Sequence, residues 1–384
     1  MDFCFSDEQT MFKNMAREFS EREIVPLLEE HGEADYFPSE VMAQLWKKMA
    51  AAGLIGVTLP QEHGGLGIDN VAQALIVQEM ARVCGGIAWS LSIDLWSSMF
   101  INMFGNDAQK KEFLPQICQG RGIGSVAFTE PETGTNPKAI TTKATLDGDE
   151  YVINGTKRFI TLSNLDGPII VVAKDSETEG GSKLSAFIAQ KNVPGYRTNP
   201  PWKKLGMHGP ATCDVYFDNL RIPTSNLLGK HGQGYEILLG TMEVNHLTHN
   251  AVMLGQCQAA YDESVKYAQE RMVRGKPITQ FQTIQTLIAD IAVGLEVSRS
   301  QLYRFASVLD AGELNEVQVQ SRITRIFLSE TLNDVARKAL RVHGCYGYTE
   351  DFKIARIVRD ALFSEVIEVV NDVQRIILAN HLLG

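Results

Sequence analysis

The feature that most constrains this chain is a change of hydrophobic period, from helical to β and back again. From Ser6 to about Gln119 apolar residues fall at helical spacing: Phe12, Met15, Ala16 and Phe19 recur at i, i+3, i+4 and i+7, and Val41, Leu45 and Met49 mark another stripe. The segment LPQEHGGLGID (59–69) gathers Pro, Gly and polar residues and is expected to be a loop. Ser6 followed by Gln9 predicts a capping box on the first helix. From about Gly120 to Gly229 the period is two, in runs such as YVING, PIIVVAKD, LSAFIAQ and CDVYFDNLRIP divided by Gly, Asp, Asn and Pro. From about Tyr235 to Leu383 helical stripes return, as in Ile284, Leu287, Ile288, Ile291 and Leu295. The expected fold class is α+β and multidomain: an N-terminal helical domain (1–119), a middle antiparallel β domain (120–229) and a C-terminal bundle of long helices (230–384).

Composition narrows the function. With 384 residues there is room for two or three domains at about 150 residues each. The net charge of −10 repels phosphates and anionic lipid, so no nucleic-acid partner is expected. Six cysteines (Cys4, Cys84, Cys118, Cys213, Cys257 and Cys345) show no C-x-x-C pair, which argues against a zinc site or a disulfide framework. Scattered thiols, an acidic opening MDFCFSDEQT and the lack of any apolar run long enough for a membrane span predict a cytoplasmic protein. Rossmann, Walker A, H-E-x-x-H and G-x-S-x-G patterns are missing. His246 and His249 in HLTH have no carboxylate or thiol beside them in sequence, so a surface or helix-packing role is expected and no metal is assigned.

The informative segments are FTEPETGTNPKAI (128–140), NGTKRFIT (154–161) and KLGMHGPATCDVYFDNLRIPTSNLLG (204–229), joined later by YAQERMVRGKPITQFQTIQ (267–285) and YGYTEDFKIARIVRDA (346–361). Read singly, Thr129, Thr135 and Thr161 are ordinary turn and strand residues. Read jointly, they place hydroxyls at strand ends, with Gly134 allowing close backbone approach, and suit a planar polar ligand with phosphates. Phe159 serves either as a core aromatic or as a lid over such a ring. Together these segments resemble the acyl-CoA dehydrogenase family over the full chain.

That resemblance implies FAD as cofactor, an acyl-CoA substrate, and a C-terminal domain that is a four-helix bundle. It also implies electron transfer to an electron-transfer flavoprotein or similar carrier, and a homotetramer. It places Phe128, Thr129, Phe159 and Thr161 at the isoalloxazine, and Gly134 and Thr135 near the pyrophosphate or the CoA portion of the substrate. Arg271 and Phe281 would reach FAD from a neighbouring subunit, and Arg341 would lie near the diphosphate. Glu368, six residues before Gln374, has the family spacing of the base that removes the α-proton. The base position that some members use on the first helix of the third domain holds Asn245 and His246 here, with Glu243 two residues earlier; Glu243 and His246 are expected to face the substrate. The family triplet E-G-T is Glu368-Val369-Val370, which replaces a permissive Gly and a hydroxyl at a position expected to touch the cofactor. Asp94 interrupts the apolar run CGGIAWSLSIDLWSSMF (84–100), where an unpaired carboxylate would cost about several kcal/mol. It is expected either to have a structural partner or to act as a second acid/base group for a compact substrate, such as a cyclic or unsaturated carboxyl-CoA. A short- or medium-chain dehydrogenase, a flavin-dependent reductase, oxidase or hydroxylase, and a non-catalytic flavoprotein subunit are the alternatives.

Overall fold

The structure, a computed structural model, describes residues 4–32 and 34–384. The first part of the chain forms α1 (Asp7–Phe19), α2 (Val25–His31), α3 (Ser39–Ala51), α4 (Asn70–Val83), α5 (Gly85–Phe104) and α6 (Asp107–Cys118). Ser6 and Gln9 exchange hydrogen bonds of 2.9 and 3.1 Å ahead of α1, the capping box their spacing predicts. The Pro- and Gly-rich stretch before α4 is a loop with one short turn, Gln61–His63, and Asp69 caps α4 through the Ala72 N–H. α5 is buried on almost every side, as its nearly unbroken apolar sequence requires.

The middle of the chain supplies β1 (Ser125–Ala127), β2 (Lys143–Asp147), β3 (Glu150–Thr161), β4 (Pro168–Asp175), β5 (Leu184–Gln190), β6 (Tyr196–Thr198), β7 (Thr212–Pro223) and β8 (Leu227–Leu228). They form one sheet in the order β6-β7-β3-β2-β4-β5-β8, with β1 alongside β4. The expected antiparallel pairing holds except that β1 and β2 run parallel to β4. β3 already occupies one edge of β2, so β4 takes the other edge after a further reversal and runs in the direction of β2. The period of two has its usual meaning: β4 sends Ile170 and Val172 into the helical core and Ile169, Val171 and Ala173 into a second core with Tyr151, Phe187 and Phe217.

The rest forms α7 (Gly234–Glu270), a short hairpin of β9 (Met272–Val273) and β10 (Lys276–Pro277), α8 (Gln282–Ala311), α9 (Leu314–His343), α10 (Lys353–Phe363) and α11 (Asn371–Leu383). The bundle is thus three long helices completed by two short ones. α7 packs against α4, α5, α8 and α9, so both helical regions share it as a spine. Gly206 lets the segment after β6 lie on α10, where a Cβ would stand 2.6 Å from Asp360 Oδ1. Among the described residues no helix is long and apolar enough to cross a membrane.

Two fully buried ammonium groups tie the loops of the sheet together. Lys157 Nζ donates to Phe128 O, Glu130 Oε1 and Val172 O at 3.1, 2.9 and 2.7 Å. Lys191 Nζ donates to Ile123 O, Leu162 O and Ser125 Oγ at 2.6, 2.9 and 3.1 Å. Burial pushes Glu130 up, but Lys157 and the donors on Thr141 and Thr142 outweigh it and leave the carboxyl at about 2. Burial pulls Lys157 down to about 8 despite Glu130, so both members are charged at neutral pH.

Asp94 plays a comparable part in the helical half. Its Oδ2 accepts from Trp46 Nε1 at 2.9 Å and its Oδ1 from the Gly124 N–H at 2.5 Å. Residue 124 must be Gly, because a Cβ there would lie 1.6 Å from Ser97 Oγ. Burial pushes the Asp94 carboxyl up to about 6 against those two donors and Lys191. The expectation of a catalytic Asp94 is therefore corrected: both oxygens are engaged by N–H groups of the fold, and the residue joins α3, α5 and the lead into β1.

Removing either arrangement should be costly. Lys157→Ala strands Glu130 as a buried charge and is expected to lower unfolding free energy by about 3–5 kcal/mol, measured by urea denaturation. Because the folded carboxyl titrates below its ordinary value of 4.5, the contribution of Glu130 is complete above that pH and is lost as pH falls toward about 2. Asp94→Asn turns an amide N–H₂ toward one of two N–H donors and should cost about 1–3 kcal/mol in the same assay; unchanged stability would contradict the joint assigned to it.

Candidate active site

The turn between α10 and α11 carries Glu368 at φ 53°, a left-handed conformation that is uncommon for a residue with a side chain. The backbone there is partly exposed while the side chain, 5% exposed, points inward between α7 and α9. On α7, residues 246 and 249 lie on one face, as their spacing of three dictates. His246 Nε2 stands 3.2 Å and His249 Nδ1 3.1 Å from Glu368 Oε2. Both contacts lie within ion-pair reach of the carboxylate, and neither meets full hydrogen-bond geometry. On α9, Arg325 donates to Ser364 O at 2.7 Å, while its Nε and Nη1 are buried without a partner.

Burial pushes the Glu368 carboxyl up, but His249 and His246 outweigh it and hold the group well below the ordinary carboxylate range. Burial pulls Arg325 down to about 10 against the attraction of Glu368, and pulls His246 below its usual value. Behind the histidines, His246 Nδ1 meets Ser321 Oγ at 2.6 Å and His249 Nε2 meets Asn245 Nδ2 at 2.9 Å. Trp89 of α5 stacks on His249 with centroids 4.3 Å apart and meets the edge of Phe363 at 5.0 Å. Beside them lies a cavity of about 10 Å³ walled by Trp89, His249, Val252, Phe363 and Ile367. That is room for about one water.

A second group of residues gathers at the end of the sheet. The register of β3 against β7 slips between Lys157 and Ile160, and on this bulge Phe159 adopts φ 60° and is 57% exposed. Its ring lies 5.6 Å from Trp202, whose Nε1 donates to Asp214, and Asp214 also pairs with Arg158 at 3.1 Å. Thr129 is held alongside, its carbonyl accepting from the Arg158 N–H at 2.8 Å. Thr161 is nearly buried, with its hydroxyl 3.4 Å from that of Thr212. Phe128 packs against Trp96 at 5.9 Å, and Trp96 meets His249 at 6.2 Å. One indole therefore bridges the sheet residues and the Glu368 cluster. A half-exposed aromatic ring on strained backbone beside threonine hydroxyls fits a planar, hydrogen-bonding ring system.

The other expected residues distribute differently. Gly134 and Thr135 lie in an exposed loop. Arg271 is exposed at the end of α7, 5.1 Å over the Tyr346 ring. Phe281 is half-buried with Lys276 Nζ 4.8 Å from its ring, and Arg341 is exposed in the last turn of α9. Val370 caps α11 without any side-chain bond, so the hydroxyl of the E-G-T pattern has no substitute there. Glu243, expected to face the substrate, pairs with Arg322 at 2.7 Å, which also holds Gln374 of α11 at 2.8 Å. One expectation needs correction. His246 and His249 are not surface residues but are wholly buried against Glu368, a carboxylate that local sequence spacing does not reveal. His249, Arg325 and Trp89 were not named as site residues; the i, i+3 pairs His246/His249 and Arg322/Arg325, polar spots on otherwise apolar helix faces, were the available signal.

Comparison with known proteins identifies the family. Residues 6–121 match the acyl-CoA dehydrogenase N-terminal domain, 125–220 its middle domain and 232–383 its C-terminal domain. Acryloyl-CoA reductase (NADH) of Anaerotignum propionicum is 36% identical, over 100% of this chain and 96% of its own. 3-(Aryl)acrylate reductase of Clostridium sporogenes is 34% identical, over 99% of both chains. The butyryl-CoA dehydrogenase structure from Megasphaera elsdenii superposes with a TM-score of 0.94 at 30% identity and covers 100% of both chains. Matched in all three domains, the chain belongs to the acyl-CoA dehydrogenase family, an FAD-dependent oxidoreductase family.

Proposed function

We propose that this chain interconverts a compact acyl-CoA thioester and its α,β-unsaturated counterpart, with Glu368 exchanging the α-proton. The observation that carries the reading is a buried, ionised carboxylate on a turn whose backbone remains open to a ligand. A thioester acidifies its α-carbon, and a desolvated carboxylate facing that carbon is the group required to take the proton. The Glu368 N–H, turned outward by the positive φ, would donate to the thioester oxygen and stabilise charge developing there. FAD, when bound, supplies the hydride acceptor or donor opposite the β-carbon. Phe128, Thr129, Phe159 and Thr161 would hold its ring system; Arg271, Phe281 and Arg341 would hold its phosphate and adenine portions; Gly134 and Thr135 would meet the pyrophosphate or CoA.

The size of the substrate follows from Trp89 and Phe363. Their rings wall the space beside His249, and side chains of that bulk favour a short or flat acyl group, unsaturated or ring-bearing. A second reading has the net reaction run toward reduction. Relatives named as reductases of acryloyl-CoA and of arylacrylates support that direction. Electrons would be exchanged with an electron-transfer flavoprotein or similar carrier. The exposed Val293 and Val297, one turn apart on α8, would meet further copies in a homotetramer.

Glu368→Gln is expected to retain FAD but to slow anaerobic flavin bleaching by saturated thioesters by about 10² to 10⁴, with bleaching at the wild-type rate overturning the assignment. Trp89→Leu should shift relative kcat/KM toward longer or bulkier acyl groups by about tenfold, read from a panel of straight-chain, aryl and cyclic thioesters.

A further inference from the structure

The two histidines on Glu368 look alike in distance, yet their outer partners differ, and the difference assigns them separate tasks. The Thr248 hydroxyl is shared between Asn245 Oδ1 at 2.8 Å and the Asn245 carbonyl at 2.9 Å, and Thr248 in turn meets Ser92 Oγ at 2.6 Å. This chain turns the amide so that Nδ2, which can only donate, faces His249 Nε2 at 2.9 Å. His249 Nε2 is therefore an acceptor, and the ring proton sits on Nδ1, toward Glu368. A second proton on His249 would set an N–H against an N–H. His246 is under no such restriction. Its Nδ1 faces Ser321 Oγ, an oxygen that accepts as readily as it donates, and its Nε2 faces the carboxylate. An imidazolium at His246 would satisfy both nitrogens.

We propose that His246, and not His249, takes the substrate proton onward from Glu368, while His249 is a positioning residue that keeps its Nδ1–H turned toward the carboxylate. This rests on the reading of Glu368 as the group that exchanges the α-proton. In the oxidative direction the Cα–H bond breaks, its electron pair stays with the substrate and the proton joins Glu368. The Glu368 O–H bond then breaks as an N–H bond forms at His246 Nε2. A neutral carboxyl and a neutral imidazole become a carboxylate and an imidazolium, with total charge unchanged. In the reductive direction His246 is the reservoir that reloads Glu368. The titratable and charged groups facing His246 from all sides are Glu368 on the turn, His249 on its own helix, Arg325 on α9, and the Glu243–Arg322 pair one turn away. Arg325, with two unpartnered guanidinium nitrogens, keeps the cluster from retaining a proton indefinitely and so favours release.

Two isosteres separate the roles. His246→Gln keeps a polar atom near Nε2 but removes titration; His249→Asn keeps a donor near Nδ1. Single-turnover flavin bleaching by a saturated thioester from pH 5 to 9 is expected to show an acid limb in wild-type holoenzyme. In His246→Gln that limb should vanish and the rate should fall about tenfold to hundredfold, whereas His249→Asn should retain a limb. Equal slowing with the limb intact in both variants, or a His246→Gln profile that superposes on wild type, overturns the proposal. A second readout needs no turnover. In ¹⁵N-histidine spectra of the wild-type holoenzyme, His249 should stay the Nδ1–H tautomer throughout, while His246 gains a second proton as pH falls from 8 to 5. Titration of His249 instead, or of neither, overturns the proposal even if a variant fails to fold. Failure here with Glu368→Gln still inactive leaves the proposed function standing; wild-type bleaching by Glu368→Gln removes that function itself.

Discussion

The site depends on burying a carboxylate without neutralising it. An isolated ionised carboxyl taken from water would simply bind a proton. Glu368 escapes this because α7 brings two imidazoles and α9 a guanidinium to the same point, while a strained turn drives the side chain inward and leaves its backbone outside. No single element achieves this. Shift α7 by one residue and both histidines leave the face; straighten the turn and the carboxylate returns to water.

The same principle, with the sign of the charge reversed, organises the β domain. Lys157 and Lys191 are buried ammonium groups, each gathering carbonyl oxygens from separate segments of chain. Phe128 and Leu162, on either side of the threonine and phenylalanine residues proposed to hold the cofactor, are fixed by these two lysines. Strain at Phe159 and Leu162, both at positive φ, is sustained by that network, as strain at Glu368 is sustained by the histidine and arginine cluster. Trp96, touching Phe128 on one side and His249 on the other, sets the spacing between the two halves.

Much of this was legible before any coordinates. The Ser6/Gln9 capping box, the loop ahead of α4, the alternation along β4 and the three long helical stripes are local patterns, and they formed as local physics requires. Glu368 was identified by its spacing from Gln374 and lies buried beside α7. Asp94 was read as an anomaly in an apolar helix, correctly, but its partners Trp46 and Gly124 come from other segments and reveal a joint where a reactive group was considered. His246 was expected to face the substrate, and His249 was given only a surface or helix-packing role because no acid stood near it in sequence.

Periodicity thus determined the order of helical and β segments, and the resemblance of the motifs to a known family pointed to the family and to Glu368, because these properties are written in neighbours a few positions apart. Tertiary structure alone decided which side chains surround that carboxylate, which way Asn245 turns the His249 tautomer, and how little room Trp89 and Phe363 leave. The reason is that the charge state of a buried group depends on dielectric and on contacts within a few ångströms. Those contacts come from helices far apart along the chain.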